Sequence, residues 1–221
     1  MCGRFTRKEG FQQLAKMLEL QVWPHLDARY NIAPSQFVAC VRTNPDSMER
    51  ECVEMKWGLI PSWAKEPRIG HQLINARAET VADKPAFRKA FRNRRCLILA
   101  DGFYEWRREK KTKQPYFVRF VDNRPFAFAG VWERWERMEG NPLDSCALIT
   151  TAPNAVMKPI HYRMPVILHP TAYALWLDDS MHHPQGLMGL LQPYPHEEME
   201  AFPVSPLVNN PLNDSPECLQ P

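Results

Sequence analysis

The sequence predicts an α+β fold in which a mixed, largely antiparallel sheet closes toward a β-barrel-like core with peripheral helices. Many short segments have the apolar or alternating pattern of strands, and few helical segments lie between them as crossovers. Proline is frequent, with 21 residues, and glycine is scarce, with 9, which favours short strands joined by stiff loops. No repeat or break in composition divides the chain, so we expect residues 1–221 to form a single domain, with an extended proline-rich tail at about 206–221.

The individual elements follow from hydrophobic periodicity. Alternating or continuously apolar runs predict strands at 37–42, 51–57, 96–100, 102–106, 114–121, 126–132 and 145–151, and a short edge strand at 164–168. Apolar residues at helical spacing predict helices at 11–20, 85–95, 171–177 and 184–191, of which 85–95 is strongly basic. The strands at 102–106 and 114–121 are expected to pair across a charged turn.

Composition and the spacing of cysteines indicate a globular protein without membrane-spanning segments or a zinc-finger pattern. The hydrophobic fraction of 44% is that of a globular chain, and no apolar stretch is long enough to span a membrane. The six cysteines form no C-x-x-C pair, and four of them, Cys40, Cys52, Cys96 and Cys146, lie in strand-like runs, where we expect buried structural thiols. The first residues lack the apolar segment of a signal peptide, so we expect a cytoplasmic protein with reduced thiols and without a metal or cofactor.

Cys2 is the first candidate nucleophile. Initiator Met1 is normally removed before a residue as small as cysteine, which leaves an exposed terminal residue with an α-amine beside a thiol. The α-amine has a pKa of about 7.7, against about 10.4 for lysine, and a thiol pKa near 8.5 is readily lowered, so both groups are nucleophilic near neutral pH. Such a residue can attack an acyl group or capture an aldehyde. The alternative is an incidental small residue in a frayed terminus.

Two further residues have side chains suited to proton transfer. Glu105 lies between Tyr104 and Trp106 in a predicted strand, where loss of hydration raises the pKa of a carboxyl group. His161 lies in an irregular segment, and histidine titrates near neutral pH, as a proton shuttle must. Each has a plainer alternative, because Glu105 could face solvent on an alternating strand and His161 could be an ordinary loop histidine.

Asn75 and Arg77 form a candidate anion site. Two positions apart in an extended chain, their side chains face the same way. An amide donor beside a guanidinium suits a phosphate or an oxyanion. The alternative is that both residues only stabilise a turn.

Basic residues are clustered, although the net charge is only +3. One cluster comprises Arg88, Lys89, Arg92, Arg94 and Arg95, and the other comprises Arg107, Arg108, Lys110, Lys111 and Lys113. Such clusters fit the phosphate backbone of a nucleic acid, and a loop residue such as Trp63 could stack on an unpaired base. The alternatives are a solvated surface and a tryptophan that seals the edge of the core.

Six motifs in register resemble the SOS response-associated peptidase (SRAP) family. They are Met1-Cys2-Gly3-Arg4-Phe5, Arg29-Tyr30-Asn31-Ile32-Ala33-Pro34, Trp57-Gly58-Leu59-Ile60-Pro61, Asn75-Ala76-Arg77-Ala78-Glu79-Thr80, Asp101-Gly102-Phe103-Tyr104-Glu105-Trp106 and His161-Tyr162-Arg163-Met164-Pro165. The match runs from Cys2 to about Asn213, and although each motif is weak alone, the six in order are highly specific.

The resemblance implies a sensor of abasic sites in single-stranded DNA that forms a covalent thiazolidine cross-link through Cys2, with lyase and autoproteolytic side activities. The catalytic positions it implies are Cys2, Asn75, Glu105 and His161. By the resemblance Arg4, Arg77 and Arg163 match phosphate contacts, and we also expect Asn31, Pro34 and Trp63 to bind DNA. We expect a monomer that associates with the nucleoid when it is bound to DNA.

Two other function classes remain open at this stage. N-terminal-nucleophile glutamine amidotransferases also begin with Met-Cys-Gly and attack a side-chain amide, but they carry an Asn-Gly oxyanion turn, and this chain has no Asn-Gly dipeptide. A non-catalytic DNA-binding module would use only the basic clusters.

Overall fold

A computed structural model of the protein describes residues 2–8, 11–109, 112–136, 140–181 and 184–221. The strands are β1 (Phe5–Arg7), β2 (Arg29–Ile32), β3 (Phe37–Thr43), β4 (Arg50–Trp57), β5 (Asn75–Arg77), β6 (Arg95–Ala100), β7 (Gly102–Glu109), β8 (Thr112–Phe120), β9 (Phe126–Trp135), β10 (Leu143–Thr151), β11 (Met164–Pro165) and β12 (Met199–Pro203). The α-helices are α1 (Gln12–Met17), α2 (Arg88–Asn93), α3 (Tyr173–Leu177) and α4 (Pro184–Met188). Short 3₁₀ helices span Pro67–Gln72, Ala78–Thr80, Pro170–Ala172, His196–Glu198, Pro206–Asn209 and Pro216–Leu219.

Five strands close into a ring. Strands β4, β3, β6, β9 and β10 follow one another, and β10 returns to pair with β4. Every pairing in the ring is antiparallel except β4 with β10, which is parallel. Two short strands extend from β10, with β5 parallel and β11 antiparallel to it. The predicted mixed, largely antiparallel sheet that closes toward a barrel is therefore confirmed.

Alternating residues of the ring face two separate hydrophobic clusters. The Sγ atoms of Cys40 on β3 and Cys146 on β10 lie 3.9 Å apart, although these strands are not neighbours, so both thiols point into the barrel. Residues with the opposite orientation, such as Leu97, form the other cluster together with buried residues of all four α-helices. Cys96 is also fully buried, whereas Cys52 is partly exposed, so the predicted burial is confirmed for three of the four strand cysteines and wrong for Cys52.

A second sheet packs against the barrel. Its strand order is β12-β8-β7-β1-β2, and every pairing in it is antiparallel. Phe5 of this sheet contacts Trp57 and Phe128 of the barrel, with ring centroids 5.1 and 5.7 Å apart. The residues before β1 and the middle of β7 therefore lie at the seam between the two sheets.

The sequence did not predict strands β1, β2, β5 and β12, which are short or polar. The helix predicted at 85–95 is confined to Arg88–Asn93, because the following residues enter β6. The predicted edge strand at 164–168 is confined to Met164–Pro165, with an isolated bridge between Ile167 and Phe128. The tail contains two 3₁₀ helices rather than continuous extended chain. No helix among the described residues is long and apolar enough to cross a membrane.

Candidate active site

Cys2 lies at the seam between the two sheets and is fully buried. Its carbonyl accepts a hydrogen bond of 2.8 Å from Asn75 Nδ2, and its Sγ lies 3.9 Å from the carbonyl of Arg4. The expectation of an exposed terminal residue is wrong, because β1 is held between β2 and β7 and draws the preceding residues into the core. Met1 lies outside the described residues, so its removal stays a prediction.

The environment of the Cys2 thiol raises its pKa above the usual value, first through burial and then through the negative charge of Glu105. This direction is opposite to the lowered pKa that a reactive thiol suggests from sequence. The thiol is therefore protonated near neutral pH, and a nucleophilic step through sulfur requires a base beside it.

Glu105 is a candidate for that base. Two positions from Phe103 on β7, its side chain points to the same face, toward the barrel, and only 3% of it is exposed. Burial raises its pKa, while the nearby His161, whose Nδ1 lies 3.9 Å from Glu105 Oε1, lowers it. The predicted raised pKa is confirmed, and the alternative of a solvent-facing Glu105 is wrong.

A helical turn positions His161. Asn154 Oδ1 accepts the backbone N–H of Met157 at 3.0 Å, and the backbone N–H of His161 donates to the Met157 carbonyl at 2.9 Å. The imidazole Nδ1 lies 3.1 Å from both the backbone nitrogen and the carbonyl oxygen of Arg163, so backbone groups of this turn hold the ring. The ring stacks on Tyr162, with centroids 4.5 Å apart.

Asn75 and Arg77 flank a buried Ala76 on β5, so their side chains share the other face of the strand, as predicted. Asn75 Oδ1 is buried and accepts no hydrogen bond from any described residue, although Nδ2 donates to Cys2. Arg77 is exposed and makes no hydrogen bond to the described part of the chain. This face therefore offers a buried acceptor and an exposed cation close together.

Arg163, the second predicted phosphate contact, lies in a different environment. Its Nη1 and Nη2 donate to Glu79 Oε1 and Oε2 at 2.6 and 2.9 Å, and Nη2 also donates to the Thr150 carbonyl at 2.5 Å. Thr150 pairs with Arg77 across β10 and β5 and with Pro165 across β10 and β11. Arg77 on β5 and Arg163, just before β11, therefore lie on strands that both pair with β10 at Thr150, but Arg163 is already bound to a carboxylate.

Arg4 and Asn31 hold the tail of the chain. Arg4 Nη1 donates to Asn31 Oδ1 and to the Val208 carbonyl, both at 2.7 Å. Asn31 Nδ2 lies within 3.2 Å of the carbonyls of Val208, Asn210 and Asn213. Asn31 is fully buried, so its contact in this structure is to the tail rather than to the surface where the sequence predicted DNA.

Trp63 and Pro34 lie in neighbouring loops. Trp63 is 61% exposed, which confirms that it does not seal the core. It lines a surface pocket together with Lys65, Arg68 and His71. His71 Nδ1 lies 2.9 Å from the hydroxyl of Ser35, the residue after Pro34. An exposed aromatic ring, nearby cations and a partly exposed proline thus form one surface.

A groove of about 900 Å³ opens beside Glu105 and His161. Its other lining residues are Trp106, Arg107, Arg108, Lys113, Lys158, Pro159, Ile160, Tyr162 and Asn209. Three residues of the second predicted basic cluster therefore line it, while Lys110 and Lys111 lie outside the described residues. The groove leads from a basic, exposed rim to the buried carboxylate.

The first predicted basic cluster is wrong in part. Arg95 is 1% exposed, and its guanidinium donates to the carbonyls of Phe91, Arg92, Trp176 and Asp178. Arg94 is paired with Glu133. Only Arg88, Lys89 and Arg92 remain exposed, because the end of the basic segment enters the first strand of the barrel wall.

Sequence reasoning did not single out several residues of these surfaces, among them Glu79, Lys158, Tyr162 and Asn209. Glu79 and Tyr162 lie inside quoted motifs, so proximity to Arg77 and His161 could have drawn attention to them. Asn209 Oδ1 accepts a hydrogen bond from Trp106 Nε1 at 2.7 Å. Its position in the groove depends on the folded tail, and no local sequence pattern indicates it.

Comparison with known proteins gives matches along the whole chain. The family description SOS response associated peptidase (SRAP) matches residues 1–211. The chain is 45% identical over 224 residues to the abasic site processing protein YoqW of Bacillus subtilis (strain 168). The alignment covers 100% of this chain and 99% of YoqW. The chain is 44% identical over 223 residues to YoaM, an abasic site processing protein of the same strain, with coverages of 99% and 97%. A crystal structure of a protein from Bacteroides thetaiotaomicron has a TM-score of 0.86 at 26% identity and covers 99% of both chains.

Proposed function

The chain belongs to the SOS response-associated peptidase family, and from this premise we propose that it captures abasic sites in single-stranded DNA through a covalent bond to Cys2. The names of the relatives YoqW and YoaM give the class of substrate, the abasic site. Capture requires that Met1 is removed, because only then does Cys2 carry a free α-amine beside its thiol. The cross-link would hold the lesion while DNA damage is being repaired.

One arrangement carries this proposal. Asn75 binds the Cys2 carbonyl, the charge of Glu105 acts on the Cys2 thiol, and Glu105 and His161 line the inner end of a basic groove. A nucleophile, an acid–base pair and an anion-binding approach are the parts that reaction of a DNA aldehyde needs.

The chemistry begins with the sugar. An abasic deoxyribose interconverts between a closed hemiacetal and an open aldehyde, and Glu105 assists ring opening by moving the hydroxyl proton. The α-amine of Cys2 adds to the aldehyde carbon, and loss of one water gives a Schiff base. The sulfur then bonds to the same carbon while the thiol proton ends on nitrogen, which gives a five-membered thiazolidine. One water is the only product besides the ring.

Each neighbouring residue has a defined part in these steps. The thiol of Cys2 is protonated, so it needs a base, and the raised pKa of Glu105 makes its carboxylate a better acceptor near neutral pH than an exposed glutamate. His161 supplies or removes the proton during imine formation and reversal. Asn75 fixes the backbone of Cys2 through Nδ2 and has a buried Oδ1 for a hydroxyl of the sugar.

The DNA backbone is held on both sides of the reacting sugar. We expect the groove residues Arg107, Arg108, Lys113 and Lys158 to contact the backbone on one side of the sugar, and Arg77 and Arg163 to contact it on the other. These groups bind phosphates, which carry no base identity, so sequence specificity is low. A Schiff base next to a 3′-phosphate also permits β-elimination, which gives a lyase side activity, and the Cys2 thiol could cleave a preceding peptide bond.

The test uses protein whose N-terminus has been verified by intact mass to begin at Cys2. It is incubated with single-stranded DNA that holds one abasic site and is then run on a denaturing gel. We expect a heat-stable adduct with the wild type. Cys2→Ser should give an imine that borohydride traps but no heat-stable adduct, and Cys2→Ala should retain only amine chemistry. A heat-stable adduct from Cys2→Ser would contradict the thiazolidine.

The same assay separates the other function classes. Glutamine hydrolysis without an adduct would indicate an amidotransferase-like hydrolase, and salt-sensitive binding without an adduct would indicate a DNA-binding module. A variant with extra residues before Cys2 serves as the matched control, because it should fold but form no adduct.

A further inference from the structure

We propose that Glu79 is an internal counterion that occupies the phosphate position of Arg163 in the DNA-free protein and thereby limits affinity for DNA. The proposal rests on the proposed function, because it concerns how the same site receives the backbone of its substrate. It assigns a role to a carboxylate that takes no part in the covalent chemistry.

The contact between Glu79 and Arg163 has the geometry with which arginine binds phosphate. Two parallel hydrogen bonds of 2.6 and 2.9 Å join the two guanidinium nitrogens Nη1 and Nη2 to the two carboxylate oxygens. Arginine uses the same two-pronged arrangement for carboxylates and phosphates, so one group replaces the other without a change in the arginine. The Glu79 carboxylate therefore resembles a phosphate in its hydrogen-bonding geometry and in the sign of its charge.

Burial of the two partners is unequal. Arg163 is 9% exposed, whereas the Glu79 side chain is 53% exposed, so the carboxylate covers the guanidinium from the solvent side. A hydrogen bond of 2.5 Å from Nη2 to the backbone carbonyl of Thr150 holds the guanidinium from behind. If the carboxylate moves away, this second anchor keeps Arg163 oriented toward the surface.

A second cation makes the position suitable for DNA. Arg77 is exposed, lies on the strand beside Thr150 and makes no hydrogen bond to the described residues. Hydrogen bonding by Arg163 lowers the pKa of Glu79, and the charge of Arg77 acts in the same direction. The carboxylate is therefore ionised at neutral pH and cancels one of two positive charges that would otherwise face the backbone.

Competition follows from these charges. A phosphate that approaches Arg163 must displace the Glu79 carboxylate. The negative charge of the displaced carboxylate stays nearby and repels the phosphate. Because Glu79 neutralises Arg163, the pair adds little net charge toward a phosphate, and binding there releases few counterions. Replacing the carboxylate with a neutral amide of the same shape should therefore strengthen binding and increase its dependence on salt.

The experiment measures binding without cross-linking. Fluorescence anisotropy is recorded with single-stranded DNA that contains a tetrahydrofuran abasic analogue, which has no aldehyde, over a series of salt concentrations. The proteins are wild type, Glu79→Gln, Arg163→Gln and the double variant. Glu51→Gln is the matched control, since it removes a carboxylate from another poorly exposed arginine, Arg42, on the barrel.

We expect Glu79→Gln to bind about two- to fivefold more tightly at low salt, the size of one partly exposed charge interaction. Its plot of log affinity against log salt should steepen by up to about 0.7, the value for one phosphate of single-stranded DNA. In the Arg163→Gln background the same substitution should give a clearly smaller gain, because only repulsion between Glu79 and the phosphate is removed, and Glu51→Gln should behave as wild type.

Two outcomes would overturn the proposal: an unchanged or shallower salt slope in folded Glu79→Gln, or an equal gain in the Arg163→Gln background. A circular dichroism melt identifies a loss of folding, and if Glu79→Gln unfolds, Glu79→Asp is measured instead. Its shorter carboxylate should release Arg163 in part and give a smaller gain, and no gain would count against the proposal. Failure of the wild type to cross-link abasic DNA would refute the proposed function, whereas a cross-linking wild type with an unchanged Glu79→Gln slope refutes only this inference.

Discussion

The Cys2 pocket and the groove that leads to it are built on opposite principles. In the pocket, Cys2 and Glu105 are buried, their pKa values are raised, and backbone and amide hydrogen bonds fix the geometry. In the groove, Arg108, Lys113 and Lys158 are exposed and present charge to solvent. Low polarity makes a few contacts strong and specific, whereas exposed charge acts over a distance and is screened by salt.

The difference in burial predicts which property, the cross-linking rate or the DNA affinity, depends on each region. Substitutions in the pocket should change the rate of cross-linking at saturating DNA and leave affinity nearly intact. Substitutions in the groove should do the reverse.

The largest effect is expected at Glu105. Glu105→Gln keeps the shape of the side chain but removes its proton transfer, so the cross-linking rate should fall by about 10²–10⁴-fold. Affinity for DNA with a tetrahydrofuran abasic analogue should stay within about threefold, since loss of a negative charge does not weaken phosphate binding. Single-turnover gels and anisotropy measure the two quantities. A parallel loss of rate and affinity would break the division between pocket and groove.

Asn75 should come next. Asn75→Ala removes the hydrogen bond to the Cys2 carbonyl, whose net value of about 1 kcal/mol corresponds to a rate loss of about fivefold. Asn75→Asp has the same size but cannot donate when ionised, so it should be at least as slow. A normal cross-linking rate with Asn75→Asp would show that this hydrogen bond does not position the nucleophile.

The groove should give a smaller effect of a different kind. Arg108→Ala with Lys113→Ala should lower DNA affinity several-fold and make the salt slope shallower by about 0.7 for each phosphate that the variant no longer neutralises. The rate at saturating DNA should not change. Lys89→Ala, an exposed lysine on α2 outside the groove lining, is the matched control and should retain wild-type binding.

The smallest effect concerns stability. Burial raises the pKa of Glu105, so the folded protein holds this proton more tightly than the unfolded chain, and stability falls as pH rises from about 4.3 through the raised pKa. Glu105→Gln removes this loss. Its Tm should exceed that of the wild type at pH 8, by about 2–4 °C for each kcal/mol gained, and approach the wild-type Tm near pH 4. A lower Tm at pH 8 would show that the charged carboxylate stabilises the pocket.

Much of the barrel could be predicted from sequence because its strands are long and apolar. The segment 96–100 is a continuous apolar run and 145–151 has an apolar centre, and the observed β6 and β10 contain them. The strand pair that closes the ring could not be predicted, because it is the parallel pairing of β4 with β10 between residues almost ninety positions apart. The three-residue strands β1 and β5 lack enough periodicity to be recognised, although they position Cys2 and Asn75.

Individual site residues were predictable where chemistry depends on local neighbours. The aromatic residues beside Glu105 indicated its raised pKa, and two-residue spacing indicated the shared face of Asn75 and Arg77. Burial of Cys2, Asn31 and Arg95 could not be predicted, because each is covered by residues distant in sequence. Cysteine at a terminus and arginine in a basic run are usually exposed, and tertiary packing reverses both tendencies here.

The bond between Arg4 and the carbonyl of Val208 joins residues separated by 204 positions. The segment that carries the nucleophile is therefore synthesised 204 residues before the carbonyl that anchors Arg4. During translation this contact forms only after the chain has been made as far as Val208. It closes a very long loop, and contacts between residues far apart in sequence are the slow ones in folding.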